Sequence, residues 1–152
     1  MWKKIKPYVV SIAIALAVGG LSALFTKDSM DIYGTLNQPP LSPPSWLFPV
    51  VWTILFTLMG ISAAIVYTKN RMNKGLLING IQLLVNFLWS IIFFNLRAFL
   101  FSFIWLILLW VLIIAMILEY MKTDKVAAYL QIPYLLWVTF AGYLNFMIYI
   151  LN

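Results

Sequence analysis

The sequence predicts an all-α polytopic membrane protein, a five-transmembrane-helix bundle with its N-terminus in the cytoplasm, and three observations predict it. Of 152 residues, 64% are hydrophobic and 9% are charged, whereas a soluble domain carries about 25% charged residues. The charges fall in short clusters that leave uncharged runs at 7–26, 32–68, 75–96, 98–118 and 126–152. Each run is long enough for a span, which needs roughly 20 apolar residues. Eight of the ten Lys and Arg also fall on one side: Lys3, Lys4 and Lys6 before span one, Lys69, Arg71 and Lys74 after span two, Lys122 and Lys125 after span four. Lys27 and Arg97 lie opposite, and the positive-inside rule places the richer side in the cytoplasm. Five spans use about 100 residues, so residues 1–152 form a single membrane domain, multi-pass in the cell membrane.

Span one is expected at about 7–26. Lys3, Lys4 and Lys6 ahead of an apolar stretch with Ala15-Leu16-Ala17 resemble a signal peptide. The chain stays apolar to Phe25 and leads into more spans, so an uncleaved first helix is favoured. Ser11, Ala15, Gly19 and Ala23 recur every four residues. Such a small-residue stripe lets another helix approach closely, within the protein or across a dimer.

Residues 27–45 form the longest non-helical segment, stiffened by Pro39-Pro40-Leu41-Ser42-Pro43-Pro44. Proline removes a donor and restricts its neighbour, which excludes regular helix there. With Tyr33, Leu36, Leu41 and Trp46 alongside, the segment reads as an ordered lid. Span two follows at about 46–68, with Trp52, Phe56, Met59 and Ala63 on one face. Span three, about 75–95, is the most polar, its Asn79, Gln82, Asn86 and Ser90 sharing a stripe next to Trp89 and Phe93. Span four, about 98–120, is uniformly large and apolar from Trp105 to Ile114, which suggests a lipid-facing or self-associating helix. Span five, about 126–150, contains Pro133 and the face Tyr134, Trp137, Ala141 and Asn145.

The chain has no Cys and no His, which excludes disulfides, thiolate nucleophiles, imidazole bases and the commonest zinc and haem-iron ligands. No metal site and no cofactor is expected. The runs carry no ionisable Asp, Glu, Lys or Arg at mid-membrane depth, where proton-coupled transporters and ion pathways place them. Glu119 and Asp124 lie beside Lys122 and Lys125 at a helix end and read as solvated charges, not an acid–base pair. The net charge of +6 is a topology signal, and no nucleic-acid partner is expected.

The distinctive composition is aromatic, with 7 Trp, 8 Tyr and 11 Phe. Trp2, Tyr8, Tyr67, Tyr120 and Tyr149 fit an interfacial belt. Trp52, Trp89 and Trp137 instead lie inside spans, on faces shared with small or polar residues. A buried indole N–H wants a partner, and Gln82, Asn86 and Asn145 offer one. Two readings stay open from the residues alone: polar glue between helices, at about 0.6 kcal/mol per bond on average, or a pocket for a flat apolar ligand.

Tyr33-Gly34-Thr35-Leu36 followed by Pro39, then Pro43-Pro44-Ser45-Trp46 and Val51-Trp52-Thr53-Ile54-Leu55-Phe56, resembles the translocator protein family, also known as tryptophan-rich sensory proteins or peripheral benzodiazepine receptors (TspO/MBR). Gln82, Asn86-Phe87, Trp89-Ser90 and Phe93-Phe94 agree with it, as do Pro133-Tyr134-Leu135-Leu136-Trp137, Phe140-Ala141 and Leu144-Asn145. The resemblance covers nearly the whole chain in order. It implies a five-helix bundle, often a homodimer, that binds tetrapyrroles such as protoporphyrin IX and haem, and isoquinoline- or benzodiazepine-type ligands. The ligand site it implies uses Tyr33, Trp52, Phe56, Asn86, Trp89, Ser90, Trp137 and Ala141.

Trp52 and Trp137 match tryptophans linked in some bacterial relatives to light- and oxygen-dependent porphyrin breakdown, so they are the catalytic candidates under an enzymatic alternative. A transporter is a third possibility, disfavoured by the missing mid-membrane charges. Two departures stand out. Gln38-Pro39-Pro40-Leu41 replaces the family's frequent Lys-Pro-Ser-Trp, losing a loop aromatic for which Trp46 is the nearest substitute. Leu144-Asn145-Phe146 is followed by no Lys or Arg, so the animal cholesterol motif is incomplete and no cholesterol binding is expected.

Overall fold

A computed structural model describes residues 1–152. The order is α1 (Trp2–Thr26), a 3-10 turn (Lys27–Ser29), α2 (Met30–Tyr33), α3 (Leu47–Lys69), α4 (Lys74–Ser90), a π turn (Ile91–Asn95), α5 (Phe99–Met121), α6 (Lys125–Tyr129) and α7 (Ile132–Leu151). Five helical units are long and apolar enough to cross a membrane: α1 with α2, α3, α4 with its π turn, α5, and α6 with α7. Around the bundle α1 packs on α3, α3 on α6, α7 on α5, α5 on α4, and α4 closes back on α1.

Close approach of α1 to α3 depends on glycine. A Cβ on Gly60 would lie 2.4 Å from the Ile12 Cα, and one on Gly19 would lie 2.7 Å from the Phe56 ring. Ala15 is 2% exposed, so the small-residue stripe of α1 serves packing within the protein, although Ala23 at its end is exposed. Near the α4 start, Asn73 caps the helix by accepting from the Gly75 N–H at 2.7 Å. Asp124 caps α6 by accepting from Ala127 N–H at 3.1 Å.

Four expectations about the helices change. Span one begins at Trp2 rather than Pro7, with Pro7 inside the helix. Proline there interrupts only the bond back to the exposed Lys3 carbonyl, at an end where water satisfies it. Span five is two helices, because the missing N–H of Pro133 ends the first ladder and suits the start of the second. Span three finishes in a π turn. Span four is not simply lipid-facing: Ser102, Leu106, Leu109, Ile113, Met116 and Tyr120 form an inward stripe in which Leu109, Ile113 and Met116 are completely buried.

The segment at 27–45 is not non-helical throughout, because Lys27–Ser29 form a 3-10 turn and Met30–Tyr33 form α2, which leaves 34–46 irregular; the lid as a whole is a tied structure. Ser29 Oγ donates to Asn95 Oδ1 (2.7 Å), and Asn95 Nδ2 donates to the Phe25 carbonyl (2.9 Å). Further along, Asn37 Nδ2 donates to the Leu151 carbonyl (3.2 Å), Asn152 Nδ2 donates to the Asn37 carbonyl (3.0 Å), and Tyr143 donates to the Pro40 carbonyl (2.8 Å). Pro39 is buried, and Leu41 takes a left-handed φ of 72° that lets the chain reverse after the double proline. Tyr33 and Leu36 pack on the core. Leu41 and Trp46 point outward, Trp46 at 66% exposure, so Trp46 does not stand in for the missing loop aromatic.

Candidate functional site

The aromatic residues of the spans assemble into two networks. In the first, Trp52 packs against Phe56 (centroids 5.6 Å), Tyr134 (6.2 Å) and Trp137 (6.4 Å, at 88°), bridging α3 and α7. Phe48 and Phe140 extend it on either side of Trp137, at 5.9 and 5.7 Å. The second lies under the lid. Trp89 stacks on Phe93 (5.3 Å), Phe93 meets Phe94 (4.9 Å) and Phe99 (5.1 Å), and Tyr33 reaches Phe93 and Phe94 at 5.7 and 5.3 Å.

Buried polar chains run beside both networks. Asn86 Nδ2 donates to the Tyr134 hydroxyl at 2.7 Å, and that hydroxyl donates to Gln82 Oε1 at 2.6 Å. Gln82 Nε2 continues to Asn79 Oδ1 at 3.1 Å. Further toward the lid, Trp89 Nε1 and Ser102 Oγ both donate to Asn145 Oδ1 at 3.1 Å, while Asn145 Nδ2 donates to the Phe99 carbonyl at 2.8 Å. With Gln82, Asn86 and Asn145 at 0–2% exposure, leaving these groups unpaired in an apolar interior would cost about 1–3 kcal/mol each. Here they are paired.

One donor in the aromatic region is not. Trp137 Nε1 is buried and has no hydrogen-bond partner. Trp89, Trp105 and Trp110 each donate, to Asn145, the Val85 carbonyl and Thr139. Trp137 therefore offers a directional donor in an apolar wall, which a ligand acceptor can use.

The sequence-derived candidates thus divide. Trp52, Phe56 and Trp137 belong to one network, and Tyr33 and Trp89 to the other. Asn86 links to the first through Tyr134, and Ser90 Oγ bonds back to the Asn86 carbonyl at 3.5 Å. Ala141 is buried in the core on α7. Trp52 and Trp137 meet each other, whereas the ring partners of Trp89 are Phe93 and Phe94. Sequence reasoning undervalued Tyr134, the hub of the polar chain, and missed Ser102. The signal for Ser102 was a lone hydroxyl in an otherwise apolar helix, a group that seeks a buried acceptor.

The chain matches the TspO/MBR family model over residues 11–151. It belongs to that family. The tryptophan-rich protein TspO of Chlorobaculum tepidum is 42% identical over 157 residues, covering 100% of this chain and 99% of the relative. Protein CrtK of Rhodobacter capsulatus is 38% identical over 149 residues (95% and 90%). The translocator protein of Bos taurus is 29% identical over 150 residues (92% and 88%). Membership in TspO/MBR fits a membrane protein with a sensory or binding role, five apolar helices and no acid–base constellation inside the bundle.

Proposed function

We propose that the protein is a binding and sensory component of the cell membrane that holds a flat hydrophobic ligand, protoporphyrin IX foremost, between α3 and α7 beneath the lid. The observation that carries this reading is the unpartnered, buried indole N–H of Trp137 within an aromatic set that includes Trp52, Phe48 and Phe140. Stacking and edge contacts on those rings supply affinity, of order 0.5–1.5 kcal/mol per aromatic pair beyond area burial. The Trp137 N–H orients an acceptor on the ligand, and the Tyr134–Asn86 pair presents the nearest buried polar groups. Tyr33 and Trp89 belong to the lid side of the same site, with Phe56, Ser90 and Ala141 as its walls. Isoquinoline- and benzodiazepine-type ligands share the flat apolar chemistry, and a homodimer in the bilayer is the assembly proposed.

With no His or Cys in the chain, axial iron ligation would fall to water, Tyr or Met, so metal-free porphyrin binds at least as readily as haem. Parallel titrations of the purified protein, following tryptophan quenching by each, test this. Haem bound much more tightly, with an axial-ligand spectrum, would overturn it.

A second reading is favoured by the direct contact of Trp52 with Trp137 and Tyr134, three oxidisable rings in series. In it the bound porphyrin absorbs light and is broken down by molecular oxygen, with Trp52 and Trp137 carrying the radical chemistry. Porphyrin absorbance under illumination, with darkness and Trp52→Phe as controls, distinguishes the two. Loss no faster than in empty detergent micelles leaves binding alone.

A further inference from the structure

Between α3 and α7 the outer surface is indented by a groove of about 420 Å3. Its lining is almost wholly apolar and includes Val51, Ile54, Leu136, Trp137 and Phe140. Ile54 and Leu136 flank it at 55% and 65% exposure, on the faces of two spanning helices that bilayer lipid covers. Trp137 belongs both to this groove and to the interior, because its ring also meets Trp52 edge to face at 6.4 Å, and Trp52 packs on Phe56 and Tyr134. The Trp137 indole thus stands, beside the buried Leu55 side chain, between the bilayer side and the internal aromatic network.

That indole is held by packing alone, without a hydrogen bond on Nε1. The lid, in contrast, is fastened at several points, including the Asn37–Asn152 and Tyr143–Pro40 bonds. Opening the lid breaks polar contacts; turning Trp137 breaks only van der Waals and edge contacts and exposes no partner group that it had satisfied. A flat apolar molecule partitions into the bilayer, so it meets the groove at far higher local concentration than it meets the lid from water.

We infer that the α3–α7 groove is a membrane-side entry subsite for the flat aromatic ligand, which passes from the bilayer into the interior by displacing Trp137. This rests on the ligand reading above. The groove continues into the aromatic network through Trp137, and the unpartnered indole N–H becomes available to an acceptor group on the ligand once the ring is turned.

The test uses the full chain in lipid nanodiscs, with protoporphyrin IX added and its Soret band followed in time. The chain has no native cysteine, so an Asn37→Cys/Asn152→Cys variant joined by a short bis-maleimide fastens the lid. Leu136→Trp narrows the groove at a lipid-exposed position, and Leu136→Ala widens it. Helix content and size-exclusion profile confirm that each variant is folded. The expected result is an unchanged rate with the lid fastened, a rate lowered about tenfold or more by Leu136→Trp, and a raised rate with Leu136→Ala, as for a step limited by a structural opening. Slowing by the fastened lid, or indifference to both Leu136 variants, overturns the entry route. Absence of binding to the unmodified protein at equilibrium instead refutes the ligand reading itself.

Discussion

Trp89 of α4 and Asn145 of α7 are joined across the bundle by a buried hydrogen bond of 3.1 Å, and the same Asn145 oxygen also accepts from Ser102 of α5. One amide therefore ties three helices, and its Nδ2 closes the set by donating to the Phe99 carbonyl. Replacing Asn145 with Leu leaves the Trp89 indole N–H without a partner in the interior, while Ser102 Oγ and the Phe99 carbonyl keep the 2.9 Å bond they make to each other. Interhelical bonds in membranes average only about 0.6 kcal/mol, but a buried indole donor left unpaired raises the expected loss to about 1–2 kcal/mol. Thermal unfolding in detergent measures it, and an unchanged Tm would refute the role.

Tyr134 and Trp137 sit one turn apart on α7 and are expected to respond oppositely. Tyr134→Phe removes the hydroxyl that partners both Asn86 and Gln82, so stability falls by about 1–2 kcal/mol. Trp137→Phe removes a donor that has no partner, so stability is unchanged or slightly raised. Paired unfolding curves check the contrast; equal losses would contradict it.

Helix approach gives a third prediction with an internal control. Gly60→Ala places a methyl 2.4 Å from the Ile12 Cα, whereas Gly20 has nothing within 4 Å of its added Cβ. The first substitution pushes α1 from α3 and costs about 1–3 kcal/mol. Gly20→Ala, in a helix with open space around it, is neutral or stabilising. A Gly60→Ala protein as stable as the Gly20→Ala protein would refute the packing.

The loop between α5 and α6 carries a pH signature. Lys69 hydrogen-bonds and pairs with Asp124, whose carboxylate also caps α6 through Ala127 N–H. These contacts hold the Asp124 carboxyl below its ordinary value, the Lys69 bond contributing most. A carboxylate pKa depressed in the folded state contributes stability above the unfolded value of about 3.9, and that contribution disappears as pH falls through the folded value. The stability advantage of the unmodified protein over Asp124→Asn should thus be constant near neutrality, begin to fall below about pH 4, and be lost once the pH drops below the folded value. An advantage that persists in acid would contradict the assignment.

Orientation is testable because cysteine is absent. Met72 is 86% exposed beside Lys69, Arg71 and Lys74, and Leu41 is 80% exposed on the lid. In intact cells a membrane-impermeant maleimide should label Leu41→Cys and spare Met72→Cys, as the lysine and arginine distribution requires. The reverse pattern would invert the topology.

Much of this arrangement was legible in the sequence because hydropathy and charge act locally: Lys and Arg clusters mark the span ends within a few residues. Less legible were features set by backbone donors and by third-party contacts. Pro133 lay inside a span read as continuous, and nothing local said that Lys125–Tyr129 would become a separate helix. Span four looked uniformly apolar, and only packing decides that Leu109 and Ile113 face inward while Ile107 and Val111 face lipid. Among the candidate residues, Trp52, Phe56 and Trp137 share a network because their spacing puts them on facing stripes of α3 and α7. Trp89 joins another, since the π turn after Ser90 swings Phe93 and Phe94 toward it and Tyr33. Nothing in the sequence distinguished the bonded indole of Trp89 from the free one of Trp137.

That free indole gives the most direct measurement. Equilibrium titration with protoporphyrin IX should be run on the unmodified protein, on Trp137→Phe, which keeps an aromatic ring and loses the N–H, and on Trp2→Phe at an exposed site as control. One buried hydrogen bond of about 1–1.5 kcal/mol corresponds to roughly a tenfold weaker Kd. The expected result is that weakening for Trp137→Phe, no change for Trp2→Phe, and unaltered folding in both. Identical affinities across the three proteins would contradict a tetrapyrrole site built on Trp137.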